Sequence, residues 1–494
     1  MNAILQPSRD ALASASDSPP VWQPILLAAL AGGMGWGIRG QYGHETGAMI
    51  AGLLVSLTLV FLMCPHASLL PAARAVAFGT IAMGFGGTMT YGQTIGLTQN
   101  AAVIGNWDAL RWGMLGLGIK GGIWIGFAGL FLGMGLGGTR YRVREILLLM
   151  LGMLVLCWIG LWVLNRPFDP ANKILPRIYF SASWRWQPDV DVAQLKPRPE
   201  YWGGLLFALL GAWVWAGWVR RDRLARNLAL WGVIGGLGFP IGQTLQAYHA
   251  WNRELFQTGF WAQLEPHMNW WNWMETTFGT VMGACLGLGL WLNRKHIGTL
   301  SGDAGPAMRP GVEWLLLAVH LPLLVLSEFT SYSWAQIYDP GLVLGFIPMV
   351  AVASGRWWPF LLALPITAVP IAGKTVEALV YESHAIGTVP GWLLYGLLPL
   401  AAMAAAAFWF WRRLEGGLCG REFARRALLL GAWLYFGLNL AFFRFPWPWT
   451  KWTSRTPNAI WFTLCVVGLT IACLTIGRRK NGQALPGDVL RAEK

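Results

Sequence analysis

The densest polar run in the chain is Gly35-Trp36-Gly37-Ile38-Arg39-Gly40-Gln41-Tyr42-Gly43-His44-Glu45-Thr46-Gly47. Its glycines permit positive φ and close backbone approach, so the stretch need not continue as helix. Arg39 offers a planar fork for a carboxylate or phosphate, and His44 and Glu45 can exchange protons. The plainer alternative is a tight turn with Arg39 paired to Glu45. A second cluster reads Glu265-Pro266-His267-Met268-Asn269-Trp270-Trp271-Asn272-Trp273-Met274-Glu275-Thr276. Tryptophans at a membrane interface form anchoring belts. Here flat rings alternate with amides and acids, a combination that also suits a sugar or other amphipathic ligand. Glu275 stands apart, because an apolar helix follows it directly.

Three short triplets resemble one another: Gly92-Gln93-Thr94, Gly242-Gln243-Thr244 and Gly373-Lys374-Thr375. Each is expected at the outer end of an outward-running helix, and the pattern predicts repeated helical hairpins whose polar tips meet on one side. Gln93, Gln243 and Lys374 could then hydrogen-bond a polar solute, with hydroxyls from Thr94, Thr244 and Thr375. Helix capping and helix packing are the alternative roles. Lys120 lies deep in the Gly-rich block Gly116–Gly138 and needs a counter-charge or a wet cavity. The expected substrate-binding set is therefore Arg39, Gln41, His44, Glu45, Gln93, Thr94, Lys120, Gln243, Thr244, Asn272, Glu275 and Lys374. Arg39, His44, Glu45, Lys120, Gln93, Gln243 and Glu275 are expected to converge on one cavity.

Other motifs exclude chemistry. Gly373-Lys374-Thr375 resembles the tail of a phosphate loop, but Ala368 occupies the first glycine position. No HExxH occurs, and His44, His249, His267 and His384 are scattered along the chain. No metal site, cofactor or nucleotide is expected. The six cysteines form no CxxC pair, so neither a disulfide nor a zinc site is expected.

Such residues must be positioned by elements that suit lipid. Hydrophobic residues make up 55% of 494 positions and charged residues 12%, against roughly 25% charged in soluble domains. Apolar blocks recur from Val21 to Ile476, which predicts an all-α polytopic membrane helix bundle of about fourteen transmembrane helices. These are expected near 24–41, 47–63, 74–97, 110–137, 145–165, 202–219, 226–247, 273–293, 311–327, 340–354, 357–376, 390–411, 426–444 and 457–476. The segment 24–63 is about 60 Å long as one helix, twice the hydrocarbon core, so a break is placed at Arg39–Thr46. The domain plan is a disordered cytoplasmic tail at 1–23, a single transmembrane domain at 24–476 and a cytoplasmic tail at 477–494.

The net charge of +14 sits in short clusters between apolar blocks, among them Arg140, Arg142, Arg144, Arg220, Arg221, Arg223, Arg412 and Arg413. That pattern fits orientation better than nucleic-acid binding. Both termini are then cytoplasmic, and the long loops 166–201 and 248–272 face outward. The function expected is an ion-coupled secondary transporter of a small polar or anionic solute, such as a sugar or sugar acid, in a bacterial inner membrane. Its partners would be the solute, a coupling proton or sodium ion and the bilayer. The rival is a membrane-embedded glycosyl- or acyltransferase with an outward-facing site, supported by Glu45, Asp108, His249, His267, Glu275, Glu382 and His384 gathering near one side.

Overall fold

The computed structural model describes residues 19–300, 308–443 and 452–476. Residues 1–18 of the expected amino-terminal tail and the whole carboxy-terminal tail lie outside that set. Among the described residues the chain is helical, without a strand. Sixteen helices matter here: α1 Trp22–Arg39, α2 Thr46–Met63, α3 Leu69–Phe85, α4 Gly92–Gln99, α5 Trp107–Leu136, α6 Val143–Leu164, α7 Trp202–Val219, α8 Arg223–Gly235, α9 Gly238–Trp251, α10 Trp270–Leu292, α11 Pro310–Phe329, α12 Gly341–Ser354, α13 Trp358–Glu382, α14 Thr388–Arg412, α15 Gly420–Phe442 and α16 Thr456–Thr475.

Among the described residues ten helical stretches are long and apolar enough to cross a membrane, with α8 and α9 forming one of them. The chain is thus a multi-pass membrane protein. Burial sorts the helices by solvent. Every residue of α2 is buried, so its uniformly apolar sequence marks a core helix. By contrast α6 turns Leu148, Val155, Trp158 and Trp162 outward, as a lipid-facing wall would.

Close backbone contact builds the bundle. A Cβ on Gly279 would stand 2.2 Å from the Gly32 carbonyl oxygen, and one on Gly283 would stand 2.0 Å from that of Ala28. These glycines let α1 and α10 touch main chain to main chain, the use small residues have between membrane helices. A second seam joins α5 to α8, where a Cβ on Gly129 would meet the Leu228 carbonyl oxygen at 2.1 Å. The later helices differ. Wide turns at Leu362–Ile366 and Glu377–Glu382 interrupt α13, and another at Trp392–Leu397 interrupts α14.

Two interruptions position the polar residues. The expected break between Arg39 and Thr46 is present: the chain turns back with the Tyr42 amide donating to the Arg39 carbonyl at 2.8 Å, and Gly43 adopts φ 88°. The expected continuous helix over 74–97 is not. It stops at Phe85, makes a tight turn through Gly86–Thr88, extends at Met89 and restarts at Gly92. Side chains take up the freed backbone groups, as a membrane interior demands. Trp124 Nε1 donates to the Met83 carbonyl at 2.6 Å and Lys120 Nζ to the Thr90 carbonyl at 2.5 Å, while the Thr88 hydroxyl of the break accepts from the Gly341 amide at the start of α12 at 2.6 Å.

The three similar triplets occupy unlike structures. Gln93 lies in the first turn of the short α4, Gln243 in the middle of α9, and Lys374 within α13 between its two wide turns. They do not form equivalent hairpin tips. The shared glycine, polar residue and threonine reflect the common composition of membrane helices.

Candidate functional site

Arg39, the last residue of α1, is 1% exposed, and Glu275, in the second turn of α10, is 2% exposed. Nη2 of Arg39 donates to Glu275 Oε1 at 2.8 Å and to the Tyr91 hydroxyl at 2.5 Å. Nη1 lies 3.2 Å from Nδ1 of His44. Because a guanidinium only donates, that contact makes Nδ1 the acceptor and puts the ring proton on Nε2. The guanidinium also rests 5.0 Å from the Trp36 ring and 5.9 Å from that of Trp124, where cation–π attraction holds its plane. Its Nε has no partner among the described residues.

Glu275 is fixed from its own helix and from α1. Trp271 Nε1 donates to Oε1 at 3.1 Å. A Cβ on Gly40 would stand 2.5 Å from Oε2, so the first break passes directly over the carboxylate. Asn272 ties that break down, its Nδ2 donating to the Gly37 carbonyl at 2.7 Å. The second break closes the other side: Tyr91 belongs to it, and a Cβ on Gly87 would stand 2.7 Å from the Glu45 backbone. The buried pair therefore lies where two interrupted segments meet.

A second group of charges adjoins the first break. Lys374 Nζ pairs with Glu328 Oε2 at 2.7 Å, Thr46 Oγ1 donates to Glu328 Oε1 at 2.6 Å, and the Tyr42 hydroxyl meets Thr375 Oγ1 at 3.3 Å. Within the link, burial together with Asp339 and Glu328 pushes the Glu45 carboxyl up to about 8. Partial burial of the ring, whose edge stays exposed, and the cations Arg39, Lys374 and Arg198 hold His44 down to about 4. Gln41 faces another way. With its amide turned to suit its neighbours it accepts from both Nη atoms of Arg455, at 3.1 and 3.2 Å. Beside it a cavity of about 30 Å³ is lined by Asn272, Asn439 and Asn458, each with an amide atom lacking a partner among the described residues. A space of that size with several polar partners suits one water.

Lys120 does not join this group. Its Nζ donates to Glu200 Oε1 at 2.6 Å, Thr94 Oγ1 at 2.7 Å and the Thr90 carbonyl, and Glu200 in turn accepts from Ser181 Oγ at 2.8 Å and the Phe180 amide at 3.0 Å. This pair fastens the 166–201 loop onto α5 and the second break. Gln93 serves the same loop, bonding the Lys196 carbonyl at 2.8 Å and the Arg198 amide at 3.1 Å. Thr244 is exposed and donates to the Ile241 carbonyl of its own helix.

The sequence set thus divides. Arg39, Gln41, His44, Glu45, Asn272, Glu275 and Lys374 gather around the first break. Thr94 and Lys120 belong to the loop fastening, and Gln243 is buried against α4, bonded to Thr98. Tyr91, Trp124, Glu328 and Arg455 complete the site but are absent from that set. Their only sequence signal is the unmet need of Arg39 and Lys374 for partners.

A cleft of about 400 Å³ opens between the end of α4, α9 and the start of α10. His249 Nε2 contacts Glu265 Oε1 at 2.8 Å, and Trp270 Nε1 donates to Glu265 Oε2 at 2.9 Å. The His249 and Trp270 rings stack with centroids 4.7 Å apart. One carboxylate thereby orients both rings at the cleft wall. No protein-family profile, curated protein or solved structure matches the chain.

Proposed function

We propose that the chain is a secondary active transporter that moves a small polar or anionic solute, driven by a proton or sodium gradient. In this reading it crosses a bacterial inner membrane fourteen times with both termini in the cytoplasm. The observation that carries it is the buried Arg39–Glu275 pair at the meeting of two interrupted helices. Unwound segments at membrane depth tend to line a ligand cavity or an ion path. Charges placed there are costly, so they are retained for function or for a partner. Arg39 already has Glu275, yet its Nε stays unmet and the adjoining Glu45 and Glu328–Lys374 group adds exchangeable charge.

The test is reconstitution into vesicles loaded with a pH-sensitive dye. Hexoses, hexuronates and short-chain carboxylates are added under an inward proton gradient, and then under a sodium gradient with labelled solute. Solute-dependent flux that is lost in Arg39→Lys, with the variant still folded, is the expected result. No flux from any of these solutes under either gradient would overturn the reading.

The His249–Glu265 pair favours a second reading, a membrane-embedded glycosyl- or acyltransferase. A carboxylate that orients a histidine at the wall of an open cleft is an arrangement suited to general base work. Turnover of a lipid-linked donor in detergent, abolished by His249→Gln and indifferent to any gradient, would favour the enzyme.

A further inference from the structure

The 400 Å³ cleft is built from amides and one cation. Gln99 and Asn100 stand on one side, with Gln246 and His249 along one face of α9 and Arg253 in the turn just past its end. Gln246 is 7% exposed, and its Oε1 has no partner among the described residues. One turn deeper on the same face, Gln243 is fully buried. Its Nε2 donates to Thr98 Oγ1 at 2.7 Å, and its Oε1 is likewise without a partner. At the rim Arg253 is exposed and makes no ion pair among the described residues.

Buried polar atoms in native proteins almost always find a partner, so the Gln246 amide oxygen at the cleft wall needs a donor brought from outside. An apolar guest would leave it unmet. A simple carboxylate would satisfy Arg253 but offer nothing to Gln246. A neutral sugar would satisfy the amides and leave the guanidinium idle. A solute with hydroxyl donors along its body and a carboxylate at one end answers both, since a guanidinium binds a carboxylate by two parallel hydrogen bonds. The volume lies near the lower end for small-molecule sites, suiting a single sugar ring.

We propose that this cleft binds a hexuronic acid, its hydroxyls donating to Gln246 and its carboxylate held by Arg253. The inference rests on the transport reading, in which the cleft collects solute before it reaches Arg39. Trp270 of the cleft and Glu275 of the buried pair are five residues apart on α10, about 7.5 Å along the axis. Trp271, between them, bonds Glu275 directly.

Equilibrium binding to the purified full chain, with D-glucuronate, D-galacturonate, D-glucose and lactate as probes, tests it. Glucuronate or galacturonate should bind more tightly than glucose or lactate. Gln246→Leu should weaken that binding at least tenfold, and Arg253→Gln, a change at an exposed position, should erase the preference over glucose. Arg39→Lys should retain cleft binding while losing uptake. The proposal fails if none of the probes binds, or if Gln246→Leu and Arg253→Gln bind hexuronates as the unaltered chain does. In the latter case flux lost in Arg39→Lys would leave the transport reading standing. Binding with the expected variant pattern but no flux would uphold the cleft and remove transport.

Discussion

Lys120–Glu200 and Arg39–Glu275 are both buried cation–carboxylate pairs, yet their surroundings differ. All three ammonium protons of Lys120 are placed, and Glu200 accepts from Ser181 and Phe180 as well. Arg39 keeps an unmet Nε, contacts a neutral histidine and lies across two chain breaks. A fully bonded pair holds parts together, whereas an under-bonded one can change partners. In one bundle, then, burial of a charge serves fastening at one place and exchange at another.

The largest effect should come from severing the fastening. Lys120→Met leaves Glu200 unpaired inside the protein, and loss of one partner of a buried pair costs about 3–5 kcal/mol. Unfolding of the detergent-purified variant should show it, with part recovered when Glu200→Gln is added. Recovery of nothing would mean that the loop is held elsewhere.

Next in size is Arg39→Lys, which keeps the charge beside Glu275 but loses the fork. Flux should fall on the order of a hundredfold, the scale seen when a positioned group shifts by about an ångström. Unfolding should move far less than for Lys120→Met. Equal losses of stability in the two variants would erase the distinction between the pairs.

The link between α1 and α2 gives a pH test. Burial and like charges raise the Glu45 carboxyl to about 8, so it is neutral below that pH and charged above it. A raised carboxyl contributes stability fully present below its unfolded value near 4.5 and lost as pH rises through about 8. Flux should change across the same window, and Glu45→Gln should remove that alkaline inflection while preserving activity near pH 6. An unaltered pH profile would assign the proton to another group.

The smallest effect belongs to Gln93→Ala. Its two bonds to residues 196 and 198 lie on the surface, so a loss of about 0.5–1.5 kcal/mol is expected, with faster proteolysis of the loop and unchanged flux. A large loss of flux would return Gln93 to the solute pathway.

Much of this is legible in the sequence. The apolar blocks locate helices, and the glycines around Arg39 announce the first break. The second was hidden, because 74–97 reads as one apolar run and a Gly86–Gly87 pair alone is common in membrane helices. Lys120 advertised a need for a counter-charge, but Glu200 sits in a loop rich in tryptophan and proline where nothing singles it out. Pairings across 80 or 236 residues, such as Lys120–Glu200 and Arg39–Glu275, depend on how helices cross, which periodicity does not encode. The triplets misled for a related reason: similar letters were read as similar places.

The glycine seams have a mechanical consequence. Where α1 meets α10, carbonyl oxygens press against α-carbons with no side chains between, so no change of rotamer can let one helix slide along the other. Such a contact transmits load as a girder does, and it welds Arg39 and Glu275 to a single rigid member. Give is found instead in α13 and α14, whose wide turns and Pro365 and Pro370 loosen the backbone ladder. Lys374 rides on that compliant strut, tied through the Glu328 carboxylate to Thr46 at the start of α2.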